Sequence, residues 1–279
     1  MPDLDARCAA FRELHASGCF VIPNPWDIGS AKYLRHLGFQ ALATTSAGFA
    51  FAHGLPDGAV SLEDMLAHIW EIVSATPLPV NADFAQGFAG EPEQLVRNVK
   101  ACLKTGVAGL SIEDATGDKS RPLYEFSFAV DRIAATRAAI DESGSGVLLT
   151  ARAECYLTGH PEPFAESIRR LQAYAEAGAD VLYAPGVMKR EEMQAIVSAV
   201  APKPVNMLIS SNLGLRVQDL AEIGVRRISV GSGLARTAWS GFIRAAREIA
   251  QQGTFGGFAG LTPFAELDEF FTTELRKHD

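Results

Sequence analysis

The sequence predicts an α/β protein, a (β/α)8 TIM-type barrel with an additional C-terminal helical segment. Three observations carry that expectation. Eight short apolar runs recur along the 279 residues. The segments between them repeat apolar residues at helical spacing. Glycines close several of those helical segments just ahead of a strand, where a left-handed cap is usual. Most of the runs read as apolar throughout, the pattern of parallel strands buried on both faces.

The first run, 19–22, ends in Pro23-Asn24-Pro25-Trp26-Asp27. The second, 41–45, leads into Ser46-Ala47-Gly48 and a loop carrying His53 and Asp57. The third, 79–83, contains Asn81 and ends in Asp83. Leu95, Val99 and Cys102 then share a helical face, and the fourth run, 109–113, ends in Glu113. The fifth, 147–151, is followed by Arg152-Ala153-Glu154, and Phe164, Ile168, Leu171 and Ala175 mark the next helix. The sixth, 181–184, offers Tyr183; Met193, Ile196, Val197 and Val200 follow on one face. The seventh, 205–209, holds Asn206, and the eighth, 227–230, runs into Gly231-Ser232-Gly233. Gly38, Gly106, Gly178 and Gly224 each stop a helix. A doubly wound open sheet normally has fewer strands, and no G-x-G-x-x-G follows the first one. No linker divides the chain, so one domain over 1–279 is expected. Its tail, 261–279, has Phe264, Leu267, Phe270 and Phe271 at helical spacing. That apolar face needs a cover, either its own barrel or a neighbouring subunit.

Composition narrows the function classes. A net charge of −8 argues against a nucleic-acid partner, which calls for a basic surplus. No apolar stretch reaches the ~18 residues of a membrane span. The acidic N-terminus has no apolar core of a signal peptide. Cys8, Cys19, Cys102 and Cys155 form no C-x-x-C pair, so neither a disulfide framework nor a zinc ribbon is expected. From these features a soluble, cytoplasmic protein is expected, and the acidic balance fixes no partner.

Barrel enzymes place their chemistry at the C-terminal ends of the strands. Asp57, Asp83 and Glu113 would converge there, and carboxylates on one rim repel unless a cation sits among them. Oxygen donors without His or Cys favour Mg2+ or Mn2+. Arg152 suits capture of a substrate carboxylate or phosphonate, with Thr45, Ser46 and Ala47 beside it. Each has a plainer alternative: helix capping for the acids, an ion pair with Glu154 or Glu113 for Arg152. Trp26 and Asn206 complete the candidate binding set, against packing for the first and backbone pairing for the second.

Taken together, these residues resemble the isocitrate lyase/phosphoenolpyruvate mutase superfamily. The matching stretches are Asn24-Pro-Trp-Asp-Ile-Gly-Ser-Ala31, Thr44-Thr-Ser-Ala-Gly48, Gly54-Leu-Pro-Asp57, Asn81-Ala-Asp83, Gly106-Val-Ala-Gly-Leu-Ser-Ile-Glu-Asp114 and Thr150-Ala-Arg-Ala-Glu154. The resemblance implies a barrel whose eighth helix is swapped between subunits, hence a homo-oligomer, dimer or tetramer. It implies Mg2+ held by Asp57, Asp83 and Glu113, largely through waters, and a substrate carboxylate held by Thr45, Ser46, Ala47 and Arg152. The implied reaction is cleavage of a 2-methylisocitrate-like 2-hydroxy or 2-oxo acid through an enolate. Phosphonopyruvate-type P–C chemistry, oxaloacetate decarboxylation or hydrolysis, and a 2-oxo acid binder with little turnover are the alternatives. Two positions depart from the family pattern. Asn81 stands where many members have a metal-binding Asp. The loop 115–124 lacks the Cys and His of the lyases, so turnover by the usual route is expected to be weak, with Tyr124 or Glu154 as substitutes for the proton-transfer thiol.

Overall fold

A computed structural model describes residues 3–276. The chain begins with α1 (Leu4–Ala16) and β1 (Phe20–Ile22), then α2 (Ile28–His36), β2 (Leu42–Ala43), α3 (Ser46–Ala52) and α4 (Leu62–Ser74). Next come β3 (Val80–Asp83), α5 (Pro92–Leu103), β4 (Gly109–Glu113), α6 (Phe126–Ser143), β5 (Leu148–Arg152) and α7 (Pro163–Glu176). The barrel ends with β6 (Val181–Tyr183), α8 (Arg190–Val200), β7 (Val205–Leu208), α9 (Val217–Glu222) and β8 (Arg227–Ser229). Then follow α10 (Gly233–Gln252) and α11 (Phe264–Arg276).

All eight strands are parallel, in the order β1-β8-β7-β6-β5-β4-β3-β2. The seam between β1 and β2 has no ladder. A single backbone bond, Ala43 N–H to Pro23 C=O at 3.1 Å, crosses it. Asn24 closes the same seam from above. Its Nδ2 donates to Thr44 C=O at 2.9 Å, and its Oδ1 accepts from the backbone of Val230 at 3.0 Å and Gly231 at 2.8 Å. The motif Asn24-Pro-Trp-Asp is therefore partly a clasp. β2 is shorter than the run 41–45 because Thr45 leaves the sheet to cap α3, accepting from Gly48 N–H at 3.2 Å.

The strands alternate, which corrects the reading of uniformly apolar runs. Val80, Ala82, Leu110, Ile112, Leu149, Ala151, Leu182, Val205, Met207 and Ile228 form one buried phase of the core. The other phase is polar: Asn81, Asp83, Ser111, Arg152, Tyr183, Asn206, Arg227 and Ser229 all line one cavity. Helices cover the first phase, so it must be apolar. The second faces a lumen that can hold water or a solute, so polar side chains persist there.

The chain through Gly233 is one compact unit, and from Leu234 onward it forms a second. In the second unit Glu248 fastens the turn after α10, accepting from Thr254 Oγ1 and from the backbone of Gly256 and Gly257 at 2.5–2.7 Å. Phe242, Phe255, Leu261, Phe264 and Leu275 are exposed. Residues 277–279 of the expected tail lie outside the described residues. No helix among the described residues is long and apolar enough to cross a membrane.

Candidate active site

The cavity lies at the C-terminal mouth of the barrel and has a volume of about 180 Å3. That is below the range of drug-sized ligand pockets, which fits a small metabolite. Thr45, Ser46, Ala47, Asp57, Asn81, Asp83, Arg152 and Asn206 line it, so eight of the sequence-derived candidates come together.

Arg152 is the hub. Its Nη1 donates to Asp83 Oδ1 at 2.7 Å, its Nη2 lies 3.1 Å from Glu113 Oε2 and 2.8 Å from Glu154 Oε1, and its Nε donates to Glu154 at 2.9 Å. Tyr183 lies under it, the ring centroid 5.1 Å from the guanidinium carbon. Burial alone would lower the Arg152 pKa, but Glu154, Glu113 and Asp83 hold it well above the ordinary value. The fork is therefore already occupied by acids. The amide of Ser46 is occupied too: its N–H and its hydroxyl both donate to Asp83 Oδ2 at 2.9 Å.

The acids outnumber that cation. Burial pushes the Glu113 carboxyl up to about 8, against the pull of Arg152 and with the repulsion of Glu154, Asp83 and Asp114. Glu154 is raised as well, first by burial and then, with Arg152 opposing, by the charge of Asp114. Asp57 is raised by burial and by Asp83. Inside the same cavity Asn81 donates from Nδ2 to Ala82 C=O at 3.1 Å, while its Oδ1 is buried without a hydrogen-bond partner. Room for that amide comes from Gly109, where a Cβ would sit 2.8 Å from Oδ1.

This donor set fits a hard divalent cation. It offers an unpaired amide oxygen and a surplus of carboxylates, both of which a cation would relieve. Among the described residues no three His, Cys, Asp or Glu side chains converge as a ready-made cage. Any divalent ion held there would keep most of its waters, as Mg2+ does.

The loops are braced from below. Asp114 accepts from Glu154 N–H at 2.8 Å, Arg170 Nη1 at 3.0 Å and the Tyr174 hydroxyl at 2.6 Å, which ties the ends of β4 and β5 together. After Asp83 the chain turns sharply, with Ala85 and Phe88 at positive φ of 46° and 54°. Such backbone costs roughly 1–3 kcal/mol per residue and needs a rigid surround. Arg132 supplies it by donating to the carbonyls of Gln86, Ala89 and Gly90, helped by Asn98 on Gly87 and Phe88.

Three candidates fall elsewhere. Trp26 does not line the cavity; its backbone N–H donates to Ser30 Oγ at 3.1 Å in the box that starts α2. Tyr124 is also outside, its ring under Arg132 at 4.3 Å and its hydroxyl donating to Ala89 C=O at 3.4 Å. That contact makes it a prop of the β3 loop, away from the cavity lining. Glu113 reaches the cavity only through Arg152.

One residue on the cavity wall was not legible as functional. Arg227 opens β8 and is 3% exposed. Its Nε donates to Asn206 Oδ1 at 2.8 Å, its Nη2 to Thr150 Oγ1 at 3.0 Å, and its Nη1 lies 3.4 Å from His15 Nε2. Burial pushes the guanidinium down to about 9, so it stays charged at neutral pH. The available signal was an arginine inside an otherwise apolar parallel strand.

Residues 11–250 match the phosphoenolpyruvate phosphomutase family, and the chain belongs to that family, within the PEP mutase/isocitrate lyase superfamily of lyases and mutases. Among curated relatives, an uncharacterised protein of Mycobacterium tuberculosis is 34% identical over 226 residues, covering 80% of this chain and 82% of that one. An oxaloacetate decarboxylase of Pseudomonas entomophila is 31% identical, covering 80% and 77%. Among solved structures, a Burkholderia cenocepacia protein described as a lyase/mutase superposes with a TM-score of 0.93 at 44% identity, covering 97% of this chain and 98% of the other.

Proposed function

We propose that the cavity is the active site of a metal-assisted carbon–carbon lyase for a small 2-hydroxy or 2-oxo carboxylic acid. The observation that carries this reading is the cavity wall itself, where Asp57, Asp83 and Asn81, whose Oδ1 is unpaired, stand with Arg152 bound to Asp83. Relatives named 2-methylisocitrate lyase (Salmonella typhimurium, 33% identical) and 2,3-dimethylmalate lyase (Eubacterium barkeri, 32% identical) support it. Asp57, Asn81 and Asp83 would hold Mg2+, with waters completing the shell and Glu113 kept behind Arg152. When bound, that ion supplies Lewis-acid stabilisation of negative charge developing on the substrate oxygens.

The chain's own residues do the rest. Arg152 fixes Asp83, Glu113 and Glu154 in place, so no reorganisation is needed as charge moves. In cleavage of a 2-hydroxy acid the hydroxyl proton leaves, a carbonyl forms, and the adjacent C–C bond breaks. The electron pair stays with the second fragment as an enolate and is then protonated. Glu113, pushed up to about 8, keeps a proton beside Arg152 at neutral pH, and burial raises the neighbouring Glu154 carboxyl in the same direction. The loop after β4 folds as a short turn with Ala115 bridged to Leu123, and it brings no thiol. Turnover is therefore slow by comparison with lyases that carry one.

The test is a panel of 2-hydroxy di- and tricarboxylic acids with Mg2+, read by trapping newly formed 2-oxo acid as its hydrazone. Metal-dependent product that EDTA abolishes supports the reading. No product from any acid, or equal product with EDTA, rejects it.

A further inference from the structure

The cavity holds a second cation that the lyase reading leaves without a task. Arg152 meets three carboxylates, and Arg170 meets Asp114 and Glu166. Arg132 is wrapped by backbone carbonyls. Among the described residues Arg227, equally buried, meets no acid: its partners are an amide, a hydroxyl and an imidazole.

The imidazole cannot supply the missing charge. His15 Nδ1 is 2.7 Å from Phe11 C=O, which accepts only if that nitrogen carries the proton. Nε2 then presents a lone pair to Arg227 and His15 is neutral. Asn206 is fixed in turn, its Nδ2 donating to Ser229 Oγ at 2.9 Å. Neutral groups from α1, β5 and β7 therefore hold a buried guanidinium on the cavity wall without cancelling its charge. Buried charges are normally paired, and one left unpaired beside a cavity is complementary to an anion that enters it.

We propose that Arg227 is a specificity-determining residue that seats a second carboxylate of the substrate, selecting dicarboxylic over monocarboxylic acids. The inference rests on the proposed function for the identity of the ligand as a small organic acid. Charge distribution favours this seat over the rim. Asp57 and Asp83 line the same cavity and repel a further anion near them, and the Arg152 fork is filled. The planar fork of Arg227 uses three donor contacts with its neighbours out of five N–H groups, leaving donors for a carboxylate.

Calorimetry with Mg2+ tests this with two probes of equal carbon count, malate and 2-hydroxybutyrate. Wild-type protein is expected to bind malate at least about tenfold more tightly, the scale of one charge-assisted hydrogen bond. In Arg227→Met that preference should collapse to within about twofold, while 2-hydroxybutyrate binding holds and the ligand-free unfolding midpoint holds or rises, because an unpaired buried charge is gone. If Arg227→Met does not fold, Arg227→Gln is read by the same criterion. Equal affinity of the wild type for both acids overturns the proposal, and so does a folded variant that keeps the malate preference. The two readings separate cleanly. Arg227-dependent preference for malate without cleavage of any acid retires the lyase and keeps the seat. Cleavage with a preference indifferent to Arg227 does the reverse.

Discussion

Replacing Arg152 tests whether it holds the acids around it in place. Its side chain is 14% exposed and makes contacts of 2.7–3.1 Å with three carboxylates. Arg152→Met removes the cation and leaves those acids facing one another in a largely buried space. Breaking a buried ion pair from one side costs about 3–5 kcal/mol, and a comparable loss is expected here. Arg152→Lys keeps the charge but cannot span three acids with one ammonium, so it should lose about 1–3 kcal/mol. The assay is urea unfolding followed by circular dichroism at several pH values. The sign of the pH effect follows from Glu113 and Glu154, whose folded-state pKa values are raised. A raised carboxyl binds extra protons in the folded state, so stability is complete below the unfolded pKa near 4.5 and falls as pH rises toward about 8. Without Arg152 that fall should steepen, and the gap to wild type should widen with pH. A deficit for Arg152→Met under about 1 kcal/mol at pH 7, or one unchanged between pH 4 and 8, would refute the hub.

Further outcomes follow from other residues. Asn81→Asp adds a charge to a cavity already rich in acids, so the metal-free protein should melt earlier; Mg2+ should then raise its midpoint more than it raises the wild type's, and an equal or smaller rise would remove Asn81 from the metal shell. Burial, with Arg227 adding repulsion, pushes His15 down to about 3, and burial chiefly pushes His68 down to about 4. These groups take up protons only on unfolding, so stability should drop as pH falls from about 6.5 toward 4, by up to about 1.4 kcal/mol per pH unit for each. His68 stacks on Phe49 at 4.0 Å with Nε2 unpartnered, so His68→Phe should flatten that slope; an unaltered slope contradicts the assignment. The exposed apolar side chains of the second unit, from Phe242 to Leu275, predict a homo-oligomer. Light scattering at working concentration should show a dimer or tetramer, and a monomer would end that expectation.

The barrel was legible because the strands leave a repeated mark: a short β-rich run, a helix-spaced interval and, at four of them, a closing glycine. The rim acids were legible for a similar reason, since residues at strand ends converge in any closed barrel. Pairing was not. Nothing in the spacing of Arg152, Asp83, Glu113 and Glu154 says that one guanidinium meets all three acids, because that depends on strand stagger and side-chain reach. The amide of Ser46 likewise looked free for a substrate, yet Asp83 takes it. Alternation was hidden for a different reason. Small or neutral residues such as Ala82, Ser111 and Thr150 blur the contrast between lumen and helix-facing phases. Arg227 was lost in that blur, although an arginine in such a strand must find company somewhere in the lumen.

Solvent deuterium reports directly on the enolate. The protein would be incubated with Mg2+ in D2O with whichever acid from the panel yields a 2-oxo product, and the second product analysed by NMR. Cleavage through an enolate predicts one deuterium on the carbon that lost the C–C bond, in step with product and absent with EDTA. A product carrying no deuterium at that carbon, or an acid whose carbon skeleton returns intact, would contradict it.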